Sequence, residues 1–482
     1  MLMIDGAVVE EIKGVVGKGN IISSPAGLYT YGFDASIHHH MPDIVVRVHN
    51  TKEVSKIVRI AYEHGIPVVA RGSGTALSGQ SVPIKGGIVI DMTPMKRIKE
   101  IRVEDLYCTV EPGIIYGKLN EELAKKNFFF PPSPGSGDVC TVGGMVATNA
   151  SGMRAIKYGA TRDYVLGMEV VLPDGSIAHF GTRTIKNSSG YQMEKLMVGS
   201  EGTLGIITEI TFRIIPLPEH RAISIASFDS LEKAGQGISN IIASGLLPSA
   251  LEIMDNVCIK AVNKSMGIGL PECEALILAE VDGEEAVIKR DIELVADICK
   301  ESGAGNIEFT YDKDRMADLW RGRKGVLPSL SRYGEDMVSV SLADDMSVPI
   351  SKIPVAIKKF QEIAKKNGIL IGTYGHAGDG NLHTKVLINP TAEGSWKRAE
   401  KAVDEIYRVV ISLGGTVSGE HGIGISKAPW MQIERKDSLA VMNEIKEAID
   451  PKNIMNPGKI MQWKGSIISY LRYPENERNE SS

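Results

Sequence analysis

The chain has 482 residues, of which 43% are hydrophobic and 23% charged, with a formal net charge of −5. That length gives two or three domains with ample core, and the charge balance offers neither the basic excess of a nucleic-acid binder nor a polybasic run for a membrane surface. No apolar run nears transmembrane length, and the start MLMIDGAVVEEIKG lacks the basic and apolar regions of a signal peptide.

Five cysteines (Cys108, Cys140, Cys258, Cys273 and Cys299) are scattered without a CxxC pair. That spacing argues against a disulfide framework or an iron–sulfur site and fits a reducing, cytoplasmic setting. Glycine occurs 51 times, where average usage gives roughly 34. The excess falls in residues 65–205, so the backbone there meets unusual demands.

In chain order, residues 44–48 form a short apolar strand. Thr51 reads as the cap of a helix through Glu63, with Val54, Ile57, Val58 and Ala61 at helical spacing and Gly65 at its end. Residues 66–70 form the next strand and run into RGSGTALSGQS (71–81). There Gly72, Gly74 and Gly79 expose backbone N–H groups, and Ser73, Thr75, Ser78 and Ser81 add hydroxyls, so the loop can cradle an anion. It is no dinucleotide fingerprint, because Leu77 stands where the third glycine would be, and no P-loop, because no Gly-Lys-Ser/Thr follows. A surface turn has a similar composition, but the apolar strand before it favours binding. Residues 87–91 form another strand.

Residues 107–111 alternate, Pro112-Gly113 breaks them, and 115–126 form a helix. A rigid loop, PPSPGSG (131–137), precedes VGGMVATNASG (142–152). Such small residues let a flat or extended ligand lie against backbone; a tightly packed helix start has the same composition. Strands 165–172 and 177–180 flank the turn Pro173-Asp174-Gly175. A third Gly/Ser/Thr loop, VGSEGTLGIIT (198–208), runs into a strand ending near Pro216 and Pro218, which mark a domain boundary.

Beyond that boundary strands at 222–228, 275–281, 338–342, 370–374 and 383–388 alternate with helices at 231–244, 284–301, 350–367 and 395–413. The pattern predicts an antiparallel sheet with helices on one face. The run LWRGRK (319–324) is an anion clamp or a solvated helix end. In YGHAGDGNLHTKVLIN (374–389), His376 and His383 stand seven residues apart around Gly378-Asp379-Gly380, a turn able to bring its flanks side by side. SGEHGIGIS (418–426) adds Glu420 and His421. Together these give three or four nitrogen and oxygen ligands, the inventory of a divalent-cation site with an open position, although ordinary histidines share such spacing. A helix from 439 to 449 stops at Asp450-Pro451, Asn456-Pro-Gly-Lys459 is a turn, and residues 474–482 form a polar tail.

Taken in order, these stretches resemble flavoenzymes with the vanillyl-alcohol-oxidase-type (PCMH-type) FAD domain, in particular the glycolate oxidase catalytic subunit and FAD-linked D-lactate dehydrogenases. The resemblance spans about residues 30–460. It rests on PVVARGSGTALSGQ (67–80), PPSPGS (131–136), VGGMVATNASG (142–152), YGATRDYVLGMEVVLPDG (158–175), VGSEGTLGIIT (198–208), GHAGDGNLH (375–383), SGEHGIG (418–424) and DPKNIMNPGK (450–459). It implies an α+β chain. An FAD domain at 1–216 has subdomains at 1–98 and 99–216, and a substrate-binding cap at 217–430 carries a helix-covered antiparallel sheet. A C-terminal segment at 431–465 returns to the FAD domain, and 466–482 is tail.

The resemblance further implies that the first and third glycine loops hold the FAD pyrophosphate, through Arg71, Gly72, Ser73, Gly74, Thr75, Ser78 and Gly79 and through Glu201, Gly205, Ile206 and Ile207. Pro132, Ser133, Gly135, Ser136, Gly143, Gly144, Thr148, Asn149 and Gly152 would line flavin and adenosine, with Tyr158, Gly159 and Asn456 in the same set. His376, His383 and Glu420 would bind a divalent metal, Zn or Mn. His421 would be the catalytic base and Arg323 the substrate carboxylate anchor. A 2-hydroxy acid would then be oxidised to the 2-oxo acid with hydride transfer to flavin N5.

Two features depart from the 2-hydroxyglutarate-oxidising relatives: Ala343 replaces a lysine and Lys385 an asparagine. Both favour D-lactate or glycolate over a dicarboxylate. His38-His39-His40 matches no flavin-attachment motif and reads as a loop near the dimethylbenzene edge of the flavin, and the FAD is expected to be non-covalent. The competing readings are a metallohydrolase built on His376, His383 and Glu420, a non-redox FAD enzyme such as the alkyl-glycerone-phosphate synthases, and an electron-carrying scaffold. The electron acceptor would be a quinone, a cytochrome, an electron-transfer flavoprotein or an iron–sulfur subunit, with the protein cytoplasmic or held at a membrane by that partner. A homodimer is compatible with the sequence.

Overall fold

The computed structural model describes residues 4–334, 336–342 and 344–471. Ala343 and the polar tail at 474–482 lie outside the described residues. The chain divides into two compact units. Among the described residues no helix is long and apolar enough to cross a membrane.

The described residues of the first unit are 4–151, 160–217 and 420–471. One sheet has the strand order Ile21–Ile22, Ile44–Arg47, Ile88–Asp91, Val68–Arg71, the last three parallel. Parallel strands of one sheet need a crossover, and the helix Thr51–His64 provides one between Ile44–Arg47 and Val68–Arg71, burying Val54, Ile57, Val58 and Ala61. Its cap is Asn50 rather than Thr51: the Asn50 side chain accepts from the Glu53 amide at 3.1 Å, while the Thr51 hydroxyl donates to Glu169 at 2.6 Å. Gly65, at φ 64°, ends the helix in the left-handed region.

A five-stranded antiparallel sheet follows, in the order Ile98–Arg102, Tyr107–Val110, Ile206–Arg213, Val165–Val171, Ile177–Gly181. Its core joins Phe130, Phe212, Val146 and Met168. The small-residue run at 142–152 begins as a helix, Val142–Thr148, and turns out through Asn149 at φ 52°. Residues so small pack closely enough to suit a helix start, and that competing composition prevails for the first part of the run.

The second unit takes in residues 152–159 and 218–419. Its eight-stranded sheet runs Asn306–Thr310, His220–Phe228, Ala275–Gly283, Ala250–Asp255, Leu370–His376, Asn381–Ile388, Val338–Val340, with Met346–Ser347 also pairing Asn381–Ile388. Every pairing is antiparallel. Helices cover both faces, not one. Ile223, Ile225, Leu276 and Leu278 pack with Cys258, Val262, Leu319 and Val326, whereas Ala222 and Val281 pack with Ile288 and Ile292 of the helix Glu285–Glu301. Successive strand residues point to opposite faces, and both sets here are apolar.

The second face escaped the periodicity because the strand Ala250–Asp255 runs straight into the helix Asn256–Met266 with no turn residues. Asp255 closes the strand and caps the helix, accepting from the Cys258 amide at 2.9 Å. The unit closes at Gly419 instead of near residue 430, and it claims residues 152–159 from the middle of the expected FAD domain.

Candidate functional site

In the first unit the loop after the strand Val68–Arg71 offers backbone. Gly74 and Gly79 sit at φ 71° and 80°, which L side chains adopt only with strain. Among the described residues, the amides of residues 73–77 donate to no other protein group. Beside them the buried Arg71 guanidinium lies 5.5 Å from the Tyr31 ring centre and donates to Ser81 at 3.3 Å. The Ser133 hydroxyl is buried without a protein partner. Unpaired amides and a buried cation fit an anionic group such as a pyrophosphate, and an orphaned hydroxyl fits a ligand with polar atoms nearby. These residues therefore fit FAD.

That loop is supported from behind. Asn456 Nδ2 donates to the Gln80 and Glu201 carbonyls, both at 2.8 Å, and so ties the first glycine loop to the third. Lys459 Nζ donates to the carbonyls of Gly79 at 2.5 Å and Val82 at 2.7 Å. Lys446 Nζ reaches the Thr203 carbonyl at 2.7 Å and Asp450 at 2.5 Å. Burial lowers the Lys459 pKa to about 7. It also pushes Glu201 up to about 7, against the Ile423 and Gly424 amides that Glu201 accepts at 2.6 and 2.9 Å.

Glu201 is thus used inside the protein: its side chain accepts from those amides, its N–H donates to the Ala147 carbonyl at 2.8 Å, and its backbone, at φ 52°, shapes the third glycine loop instead of offering a cofactor free groups. The same contacts hold the segment that begins with Glu420 and His421, and Gln80 donates to the His421 carbonyl at 2.5 Å. A Cβ at Gly424 would overlap the Ser78 carbonyl, so only glycine passes there.

Two histidines of the run 38–40 are tied into the protein. His38 is buried, its ring nitrogens 2.8 Å from the Ser469 carbonyl and 2.8 Å from the Ser426 hydroxyl, and His40 Nδ1 lies 2.8 Å from the Pro83 carbonyl.

In the second unit the groups on offer are side chains. The strands Leu370–His376 and Asn381–Ile388 form a hairpin in which Tyr374 faces His383 and His376 faces Asn381. Gly380, at φ 85°, makes the turn, and a Cβ on it would overlap the Val348 carbonyl. His376 and His383 are diagonal neighbours on one face. Their ring centres are 5.1 Å apart and their Nε2 atoms 3.4 Å apart.

Each Nδ1 meets a carboxylate: His376 lies 2.7 Å from Glu252, and His383 lies 3.3 Å from Asp344. Each carboxylate in turn meets a buried cation. Arg323 Nε donates to Glu252 at 2.6 Å, and the Lys385 ammonium is paired with Asp344. Burial raises the Glu252 carboxyl, but the Arg323 guanidinium and His376 outweigh it and hold the pKa below its usual value.

A carboxylate accepting from Nδ1 leaves Nε2 as the lone-pair nitrogen. Two lone pairs facing each other at 3.4 Å repel unless a cation or a proton lies between, and this donor set fits a divalent transition metal. Asp345, at φ 67°, is buried nearby, with a carboxylate oxygen within 4.8 Å of a His383 ring nitrogen. Its oxygens accept from Asn381 at 2.9 Å and Ser418 at 2.8 Å.

The structure thus brings His376 and His383 together, with Arg323 one carboxylate away. Glu420 and His421 open the last stretch of the first unit. Gly152, Tyr158 and Gly159 belong to the second unit, where the Tyr158 hydroxyl donates to Asp282 at 2.8 Å and Arg154 pairs with Glu280 at 3.2 Å. The sequence reading missed Glu252, Asp344 and Asp345. A carboxylate inside the apolar run ALEIM (250–254) was the available signal for the first.

The solved structure of 4-ethylphenol oxidase from Gulosibacter chungangensis matches this chain with a TM-score of 0.78 at 20% identity, covering 95% of this chain and 97% of that one. The fold is therefore that of PCMH-type flavoproteins. Family models match at residues 42–181 (FAD binding domain) and 217–460 (FAD linked oxidases, C-terminal domain). The chain is 39% identical over 461 residues to glycolate oxidase subunit GlcD of Bacillus subtilis (strain 168), covering 95% of this chain and 97% of the relative. It is 34% identical over 457 residues to the mitochondrial D-lactate dehydrogenase [cytochrome] of Arabidopsis thaliana, covering 94% and 80%. The chain belongs to the FAD-linked oxidase family and is a flavin-dependent oxidoreductase.

Proposed function

We propose that this protein oxidises a small D-2-hydroxy acid, D-lactate or glycolate, to the 2-oxo acid. The observation that carries this reading is the imidazole pair of His376 and His383, each backed by a carboxylate, in a family whose relatives include proteins named glycolate oxidase and D-lactate dehydrogenase. When bound, FAD supplies a two-electron acceptor at flavin N5, and a divalent cation, Zn or Mn, supplies a Lewis acid.

His376, His383 and Glu420 hold the cation. Arg323, shared with Glu252, anchors the substrate carboxylate. His421 takes the hydroxyl proton, since neutral imidazole is available near pH 7. Residues 71–79, Ser133 and the loop at 198–207 hold the FAD without a covalent bond. The Lys385 ammonium is given to Asp344 and Ser341, which leaves it no charge to offer a second carboxylate and supports a monocarboxylate substrate.

The five cysteines are free, and burial pushes the thiols of Cys108 and Cys299 up to about 12. That supports a separate electron acceptor, and a cytoplasmic setting, over an internal iron–sulfur relay.

The test is anaerobic addition of glycolate, D-lactate, L-lactate and D-2-hydroxyglutarate, singly, to oxidised enzyme while flavin absorbance is followed. Bleaching by D-lactate or glycolate is expected. Bleaching by hydroxyglutarate alone, or by no hydroxy acid, overturns the reading. Chelation is expected to abolish the reaction and added metal to restore it.

A further inference from the structure

We infer that Lys385 is a positioning residue for the imidazole pair: acting through Asp344, it holds His383 with Nε2 turned toward His376. The inference rests on the metal-binding reading given under Proposed function.

Lys385 lies two residues after His383 on the strand Asn381–Ile388, so the two side chains share a face. It is 1% exposed. A buried ammonium is expensive to place there, and an apolar side chain of similar volume would pack more cheaply. Its ammonium meets one Asp344 oxygen and donates to the Ser341 hydroxyl at 3.0 Å. The other Asp344 oxygen lies 3.3 Å from His383 Nδ1. Tyr407 fixes the backbone around Asp344 by donating to the Leu342 and Asp344 carbonyls at 3.1 and 3.3 Å.

The other arm repeats the plan with different residues, since Arg323 holds Glu252 and Glu252 meets His376. Two arms of the form cation, carboxylate, imidazole converge on Nε2 atoms 3.4 Å apart. Packing alone does not call for the same order of charges twice. The role follows from geometry. In the rotamer Asp344 adopts, its two oxygens serve Lys385 and His383 together. Without Lys385 that rotamer loses its strongest donor, and the His383 ring loses the acceptor that orients it.

The experiment uses flavin-loaded, metal-stripped enzyme titrated with Mn(II), with free Mn(II) read by electron paramagnetic resonance. Lys385→Met is expected to bind Mn(II) about 10–100-fold more weakly, with FAD content unchanged. Lys385→Arg, which keeps the charge and the reach, is expected to recover most of the affinity. A merely structural role would not produce that rescue at equal FAD content. If Lys385→Met does not fold, the double variant Asp344→Asn/Lys385→Met, which buries no unpaired charge, carries the same expectation of at least about 10-fold weaker binding. Wild-type affinity in the variant that folds overturns the role of Lys385. A wild-type enzyme that binds neither Mn(II) nor Zn(II) overturns the metal reading itself.

Discussion

The first unit presents mostly backbone to a ligand, the amides of residues 73–77, whereas the second presents the rings of His376 and His383. Backbone donors are aimed by the chain path, so the first unit spends glycines at positive φ and braces the loop carbonyls with Asn456, Lys459 and Lys446. Side-chain donors are aimed by rotamers, so the second unit spends carboxylates and cations on holding two rings. Buried charge appears in both, for different ends: in one it fixes a loop, in the other it fixes a lone pair.

The sharpest way to break this contrast is His421→Ala, because His421 would be a catalytic side chain contributed by the backbone-presenting unit. Flavin reduction by D-lactate, followed by rapid mixing, is expected to slow by about 10²–10⁴-fold with FAD content unchanged. An unaltered rate removes His421 from the reaction.

Lys446→Met comes next. It leaves Asp450 buried without its ion-pair partner, and breaking such a pair costs about 3–5 kcal/mol. Urea unfolding should show the loss, and FAD should dissociate more readily because the Thr203 carbonyl loses its brace.

A pair of glycine substitutions then separates the two modes. Gly380→Ala and Gly424→Ala each force a Cβ against a carbonyl at positive φ, at a cost of about 1–2 kcal/mol from the backbone conformation alone. The first should lose metal and keep FAD, and the second should lose FAD and keep metal. Metal analysis and flavin absorbance per protein decide it, and joint loss in either variant would erase the distinction.

A further effect is on pH dependence. Lys459 titrates near 7 when folded and near 10.5 when unfolded. Across that interval the unfolded chain binds the extra proton, so stability rises with pH. Glu201 is the reverse: between its ordinary 4.5 and its folded value of about 7, the folded state keeps a proton that the unfolded chain releases, so stability falls as pH rises. Together they place a minimum of stability near neutrality in urea titrations. Lys459→Met should flatten the alkaline limb, and an unchanged alkaline limb would show that Lys459 keeps its charge.

Much of this was legible before any coordinates. The loop at 71–81 could be recognised because glycines and hydroxyls cluster after an apolar strand, and Gly378-Asp379-Gly380 announced the hairpin that pairs the two histidines. What could not be read were partners distant in sequence. Glu252 reaches His376 across 124 residues and Asp344 reaches His383 across 39, and no local period records such a pairing. The burial of Lys446 and Lys459 was not legible either, because it depends on carbonyls more than two hundred residues away. The helices on both sheet faces were missed for a local reason, since a strand that becomes a helix at Asp255 leaves no break to see.

The eight residues 152–159 have one more implication. Because they sit apart in sequence from the rest of the second unit, even cuts at both ends of residues 218–419 do not release that unit whole. A fragment of residues 218–419 would leave behind Arg154, Lys157 and Tyr158, and Glu280 and Asp282 would keep their burial but lose those partners. Grafting a cap from one relative onto the flavin-binding half of another therefore requires exchanging this short insert as well, and a chimaera that exchanges residues 218–419 alone should be poorly soluble where one that exchanges both segments is not.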